Sequence, residues 1–210
     1  AGVDSGGTTP TATEVPKSDK PKVELFVMSY CPFGTQMEKG ILPVVSTLGD
    51  KIDFTLRYTH FTLHGEKEDT ENFRQLCIRE EQSDKFLKYI QCTLDSTDSY
   101  NPKDVNACMA DGRIDVAKVN TCIDKKVVDY YKVDSDLSKG YGVQGSPTLV
   151  INGVQADSAR SPAAILAAIC SSFNNPPSEC SAQLSTSSPS AGFGYNAGNS
   201  GDTAALNCGV

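Results

Sequence analysis

One short stretch carries a side chain able to act as a nucleophile: Ser29-Tyr30-Cys31-Pro32-Phe33-Gly34. Before it, Lys22-Val-Glu-Leu-Phe-Val-Met28 is apolar, β-branched and aromatic, the pattern of a buried strand. After it, Met37, Ile41, Leu42, Val44, Val45 and Leu48 recur at mostly helical spacing, interrupted by Gly40 and Pro43. Cys31 therefore falls where a strand gives way to a helix. A helix N-terminus offers unpaired N–H groups and a partial positive charge. Both favour thiolate over thiol, and Pro32 suits the first helical turn. Such a thiolate attacks a disulfide sulfur and forms a mixed disulfide. A dithiol site would carry its second cysteine at position 34, and this chain has Gly34. The plainer alternatives are a relic thiol or one half of a structural disulfide.

The remaining sulfur is dispersed. Cys77, Cys92, Cys108, Cys122, Cys170, Cys180 and Cys208 complete a set of eight, none in a CxxC arrangement, and there are only two histidines. His60 and His64 stand four apart without an evident third ligand, so neither a metal nor another cofactor is expected. An even, scattered set points to disulfides and an oxidising compartment, secreted, extracellular or at the cell surface. Eight cysteines allow 105 complete pairings. Pairing neighbours gives structural bridges Cys77–Cys92, Cys108–Cys122 and Cys170–Cys180, each closing a loop of roughly 10–16 residues and contributing about 2–4 kcal/mol. That leaves Cys31 and Cys208. Flexible chains span about 5–6 Å times the square root of their length, so a tail of roughly 28 residues beyond Cys180 reaches easily. Cys208 is thus a candidate resolving partner for Cys31, in cis or in trans. The alternative is a free thiol near the end of a tail.

The elements that must position these residues follow from patterning. The net charge of −7 argues against nucleic acid and anionic membranes as partners, and no apolar run is long enough to span a bilayer. Lys51 to Tyr58 alternates as a second strand. Helices are expected over 69–80, 85–94, from Asn101-Pro102 through Cys108, from Ile114-Asp115 to Cys122, and on towards Gly140. The acidic runs Glu66–Glu71 and Glu80-Glu81 read as solvated helix faces. Thr148–Ile151 is a strand, Asn152-Gly153 a hairpin turn, and Ser161-Pro162 opens a last helix ending before Asn174. Residues 1–21 read as a flexible N-terminal linker, 22–180 as the folded domain with a helical insertion over about 60–142, and 181–210 as a Ser, Gly, Ala and Asn-rich C-terminal tail. The chain begins at Ala1 without methionine or signal peptide, as expected of a processed secreted protein or a trimmed fragment.

This order of elements resembles the thioredoxin fold with a helical insertion, as in the DsbA-like thiol–disulfide oxidoreductases, over about residues 22–180. Tyr30-Cys31-Pro32-Phe33 resembles their active-site motif, and Gly145-Ser146-Pro147-Thr148 resembles the cis-proline loop that faces it. His64-Gly65-Glu66 followed by Cys77, Cys92, Cys108 and Cys122 is similar to the interferon-γ-inducible lysosomal thiol reductases and their secreted relatives. The resemblance implies a disulfide-stabilised α/β protein, a cis Ser146–Pro147 peptide, and substrate contacts at Tyr30, Pro32, Phe33, Ser146 and Pro147. The backbone of Ser146 would pair with an extended substrate as a short added strand. Phe193 and Tyr195 would dock on the apolar surface around Tyr30 and Phe33. Partners would be protein or peptide thiols and disulfides. Gly34 departs from the family pattern, so activity through Cys31 alone or with Cys208 stands beside a second reading: a catalytically degenerate structural module, assembling with copies of itself through its tails as an extracellular filament or surface subunit.

Overall fold

A computed structural model of the protein describes residues 14–195 and 208–209. At its centre lies β1 (Lys22–Val27), in which Val23, Leu25, Phe26 and Val27 are wholly buried, so both sheet faces are covered. Helix α1 (Pro32–Leu48) leads on to β2 (Asp53–Tyr58), which pairs parallel with β1 from Lys22↔Asp53 to Val27↔Tyr58. The expected interruptions do not stop α1. Pro43 sits on its exposed side. Gly40 lets the helix press against the chain leading to the last helix: a Cβ there would come within 2.3 Å of the Arg160 carbonyl oxygen.

Five helices form the insertion: α2 (Glu66–Glu81), α3 (Ser83–Leu94), α4 (Val105–Asp111), α5 (Val116–Lys125) and α6 (Val127–Gly140). Asp104 and Asp115 cap α4 and α5, accepting from the N–H groups of Ala107 and Lys118. The chain then returns as β3 (Gly145–Ser146), β4 (Thr148–Ile151), β5 (Val154–Gln155) and α7 (Pro162–Cys170), and Cys208–Gly209 forms β6. Asn152 and Gly153 both have positive φ, 49° and 84°, in the turn joining β4 to β5. The main sheet runs β2-β1-β4-β5, with β4 and β5 antiparallel, and α7 packs beside α1. The insertion is fastened to the sheet by charge. Asp134 of α6 accepts from Arg57 of β2 at 2.7 Å, from Arg79 of α2 at 2.8 Å and from the Tyr58 N–H at 3.0 Å, with its side chain fully buried.

Two expected pairings are corrected. The disulfides are Cys77–Cys122, Cys92–Cys108, Cys170–Cys180 and Cys31–Cys208. Cys77 lies five residues before the turn at Gln82 and Cys92 ten after it. At 1.5 Å per residue their levels along the helices differ by roughly 7.5 Å, too far for a bridge across that hairpin. Cys77 instead meets Cys122 where α2 packs against α5, and Cys92 meets Cys108 where α3 packs against α4. The ends also differ from their composition. Ser18 bridges to Phe173 and exchanges backbone hydrogen bonds with Ser172 and Asn174. Residues 189–195 lie along the body as a strap, and Phe193 is buried. Residues 1–13, 196–207 and 210 of the two terminal segments lie outside the described residues.

Candidate functional site

Cys31 is the N-cap of α1, with extended backbone (φ −70°, ψ 121°). Its N–H donates to the Met28 carbonyl and its own carbonyl accepts from Thr35. The Gly34 N–H points at its sulfur, 3.4 Å away, and Pro32 occupies the first helical position, where no N–H is needed. The sequence expectation of a cysteine at a helix start, with Pro32 in the first turn, matches this geometry. On reduction the Gly34 N–H already aimed at this sulfur and the helix dipole would both favour thiolate.

Across from Cys31 lies β3, followed by Pro147, whose peptide with Ser146 is cis. The Ser146 carbonyl oxygen stands 3.2 Å from the Cys31 sulfur, and the Ser146 hydroxyl accepts from the Met28 N–H at 2.9 Å. This hydroxyl fills the space beside Gly34. A Cβ at position 34 would stand 2.7 Å from it and 3.1 Å from the Met28 carbonyl. Position 34 thus has no room for a cysteine side chain while Ser146 keeps its place.

The second sulfur comes from the far end of the chain. Cys208 is bonded to Cys31, with 6.1 Å between Cα atoms. Cys208 and Gly209 pair antiparallel with β3, in the register Ser146↔Cys208 and Gly145↔Gly209. The protein's own β6 therefore lies on the edge that the resemblance assigns to an extended substrate, and Cys31 is fully buried beneath it.

Two further elements bear on the site. The strap crosses its rim: Gly192 donates to the Pro32 carbonyl at 2.8 Å, and the Phe193 ring meets Tyr30 edge-on at 5.7 Å. Lys39 of α1 holds the strap from below, donating to the Gly194 carbonyl at 2.6 Å and to the Ser190 hydroxyl at 3.1 Å. Tyr195 does not reach Phe33; it faces Lys39, and Phe33 instead lies under the Arg160 guanidinium. The second element is α2. Asn72 accepts from the Ser29 N–H at 3.1 Å, and Glu68 accepts from Tyr30 at 3.2 Å, from Leu63 at 3.0 Å and from His64 Nδ1 at 2.6 Å. Glu68 and Glu71 are buried, so the run 66–71 is not wholly a solvated face. Nothing in the local sequence distinguishes Glu68 or Asn72 from the other polar residues of α2; only the packing of α2 against the Cys31 loop does so. His64 is tied to Glu68, and His60 Nδ1 lies 2.8 Å from the Ser138 hydroxyl.

Helix α1 also buries two ionisable side chains, Glu38 and Lys39. Glu38 Oε1 has no hydrogen-bond partner among the described residues, and burial, reinforced by Glu71, pushes its pKa up to about 8. Burial pulls Lys39 down to about 8, opposed by Glu38. An open cleft flanks Pro147 on its other side, lined by Met37, Thr148, Gln155, Asp157 and Arg160.

No family model matches this sequence, and no curated protein matches it. Solved structures do. The chain is similar to MdbA, a thiol–disulfide oxidoreductase from Actinomyces oris, at 16% identity and a TM-score of 0.57, over 76% of this chain and 83% of that one. It is similar to BdbD from Bacillus subtilis, in the oxidised form, at 16% identity and a TM-score of 0.57, over 74% and 89%. It is also similar to reduced DsbA from Mycobacterium tuberculosis, at 20% identity and a TM-score of 0.56, over 82% and 93%. The chain has the thioredoxin fold with a helical insertion, the fold of the DsbA-like thiol–disulfide oxidoreductases.

Proposed function

We propose that this protein exchanges thiols and disulfides on peptide or protein partners through Cys31, with Cys208 as an unconventional resolving cysteine. The observation that carries the reading is the pairing of Cys31, at a helix N-cap beside a cis-proline loop, with a cysteine on a separate added strand. In the reduced protein, the Cys31 thiolate attacks a substrate disulfide, one substrate sulfur bonds to Cys31, and the other leaves as thiolate and takes a proton. Cys208 then attacks Cys31, forms the Cys31–Cys208 bond and expels the remaining substrate thiol. The substrate disulfide is reduced to two thiols and the protein dithiol is oxidised; the reverse sequence oxidises a substrate. The fold neighbours named as thiol–disulfide oxidoreductases support this class of chemistry. Four disulfides among eight cysteines support a secreted or cell-surface location.

A second reading has one observation in its favour: Cys31 is wholly buried under β6, as a permanent staple in a non-catalytic module would be. Turnover of a fluorogenic peptide disulfide with a dithiol reductant separates the two. The exchange reading expects turnover by the wild type, loss in Cys31→Ser, and a stalled Cys31–peptide adduct in Cys208→Ser. Wild-type turnover no faster than Cys31→Ser would leave the staple.

A further inference from the structure

The edge that β6 occupies does not accept any dipeptide equally. Among the described residues two pair there, a Cys-Gly dipeptide laid against Gly145-Ser146. The first residue is fixed by the register Ser146↔Cys208, which sets the cysteine directly beside the cis-proline loop, within bonding distance of Cys31. The second is constrained by backbone. A Cβ on Gly209 would stand 3.1 Å from the Gln144 carbonyl oxygen, closer than ordinary van der Waals contact. That oxygen belongs to the main chain, between the buried Val143 and β3, and cannot swing aside as a flexible side chain would. Opposite Gly209 stands Gly145, which offers no side chain for a larger residue to pack against.

We infer that the β3 edge selects cysteine followed by glycine, and that the protein's partners are extended thiol or disulfide peptides reading Cys-Gly, for which Cys208-Gly209 is the resident stand-in. This rests on the exchange chemistry above and names its substrate class. With Cys31–Cys208 reduced and β6 displaced, the Cys31 thiolate attacks the peptide's disulfide, one peptide sulfur bonds to Cys31, the peptide S–S bond breaks, and the other peptide sulfur leaves as thiolate and takes a proton. One disulfide and one thiol stand on each side, so no further oxidant is needed. The leaving strand vacates the two backbone positions that the incoming dipeptide takes.

The test uses the full chain carrying Cys208→Ser, in which Cys31 is free, and homodisulfides of the blocked peptides Leu-Asn-Cys-Gly and Leu-Asn-Cys-Ala. Adduct formation at Cys31 is followed by mass spectrometry, each rate divided by that of the same peptide with a small-molecule thiol. The Cys-Gly peptide is expected to react at least about tenfold faster, the lower end of what one misplaced carbon does in a shaped site. Equal normalised rates overturn the inference and leave the exchange reading standing. Failure of Cys31 to react with either peptide or with a small disulfide sinks the exchange reading itself. In the otherwise wild-type chain, Gly209→Ala is expected to shift the Cys31–Cys208 equilibrium against a reference dithiol about tenfold towards the reduced form; an unchanged equilibrium also overturns the inference.

Discussion

At position 34 two effects oppose each other. Gly34 lies in the first turn of α1, where alanine is the better helix former by up to about 1 kcal/mol. Against that stands the Ser146 hydroxyl, 2.7 Å from where the methyl would go and held there by the Met28 N–H. Overpacking of this kind costs about 1–3 kcal/mol, so sterics win. Gly34→Ala should lower the melting temperature; an alanine variant as stable as the wild type would refute the crowding. Glu38 makes a second prediction. Its folded pKa, about 8, lies above its ordinary 4.5, so the folded chain keeps a proton that the unfolded chain gives up. Its contribution is full below about pH 4.5 and is lost as pH rises through about 8. Lys39 works from the other side, its contribution full above 10.5 and lost as pH falls through about 8. Glu38→Gln removes only the first dependence. Its melting temperature relative to wild type should therefore rise between pH 5 and pH 8, and a difference equal at both values would count against a buried neutral carboxyl.

Among the elements, the strap is the least expected. Its Ser and Gly content reads as disorder, yet it is fixed mainly through backbone groups: Gly192 on Pro32, Phe193 on Ser99, Gly194 on Leu94. Such bonds leave no mark in side-chain patterning, and only the isolated Phe193 and Tyr195 point to docking. What was legible had local chemistry behind it. The apolar run before Cys31, the Asn152-Gly153 turn and the Ser161-Pro162 helix start each carry their signal within a few residues. The Cys77–Cys122 and Cys92–Cys108 bridges were not legible, because they depend on which helix faces which. The same holds for Glu68 and Asn72, whose role appears only when α2 meets the Cys31 loop. Phe193 shows what the strap does for the site. Truncating a buried phenylalanine costs about 3–5 kcal/mol, but here the cost should be local to the strap. Phe193→Ala should speed hydrogen exchange at Gly192 and Gly194 and leave β1 and β4 protected. Equal loosening of the central strands would mean that the strap is part of the core rather than a cover.

On the scale of the whole molecule, the four disulfides divide by what they join. Cys77–Cys122 and Cys92–Cys108 tie helices packed within the insertion, and Cys170–Cys180 closes the turn after α7. Opening the first two asks helices that share a core to part. Cys31–Cys208 alone joins that body to a strand outside the main sheet, held by a two-residue ladder. Among the described residues its release breaks few contacts, and the sulfur left on the body keeps the Gly34 N–H and the helix N-terminus, which make it the better leaving group. Stepwise reduction under native conditions should therefore open Cys31–Cys208 first. Alkylation and mass mapping should find Cys31 and Cys208 labelled together while the other six cysteines stay paired. Far-UV circular dichroism should hardly change at that stage, because the strand released, β6, is two residues long among the described residues. Earlier labelling of Cys170 and Cys180 would mean that accessibility, not the helix-capped sulfur, governs reduction. Loss of helicity together with the first labelling would mean that the tail bridge supports the fold instead of gating the site.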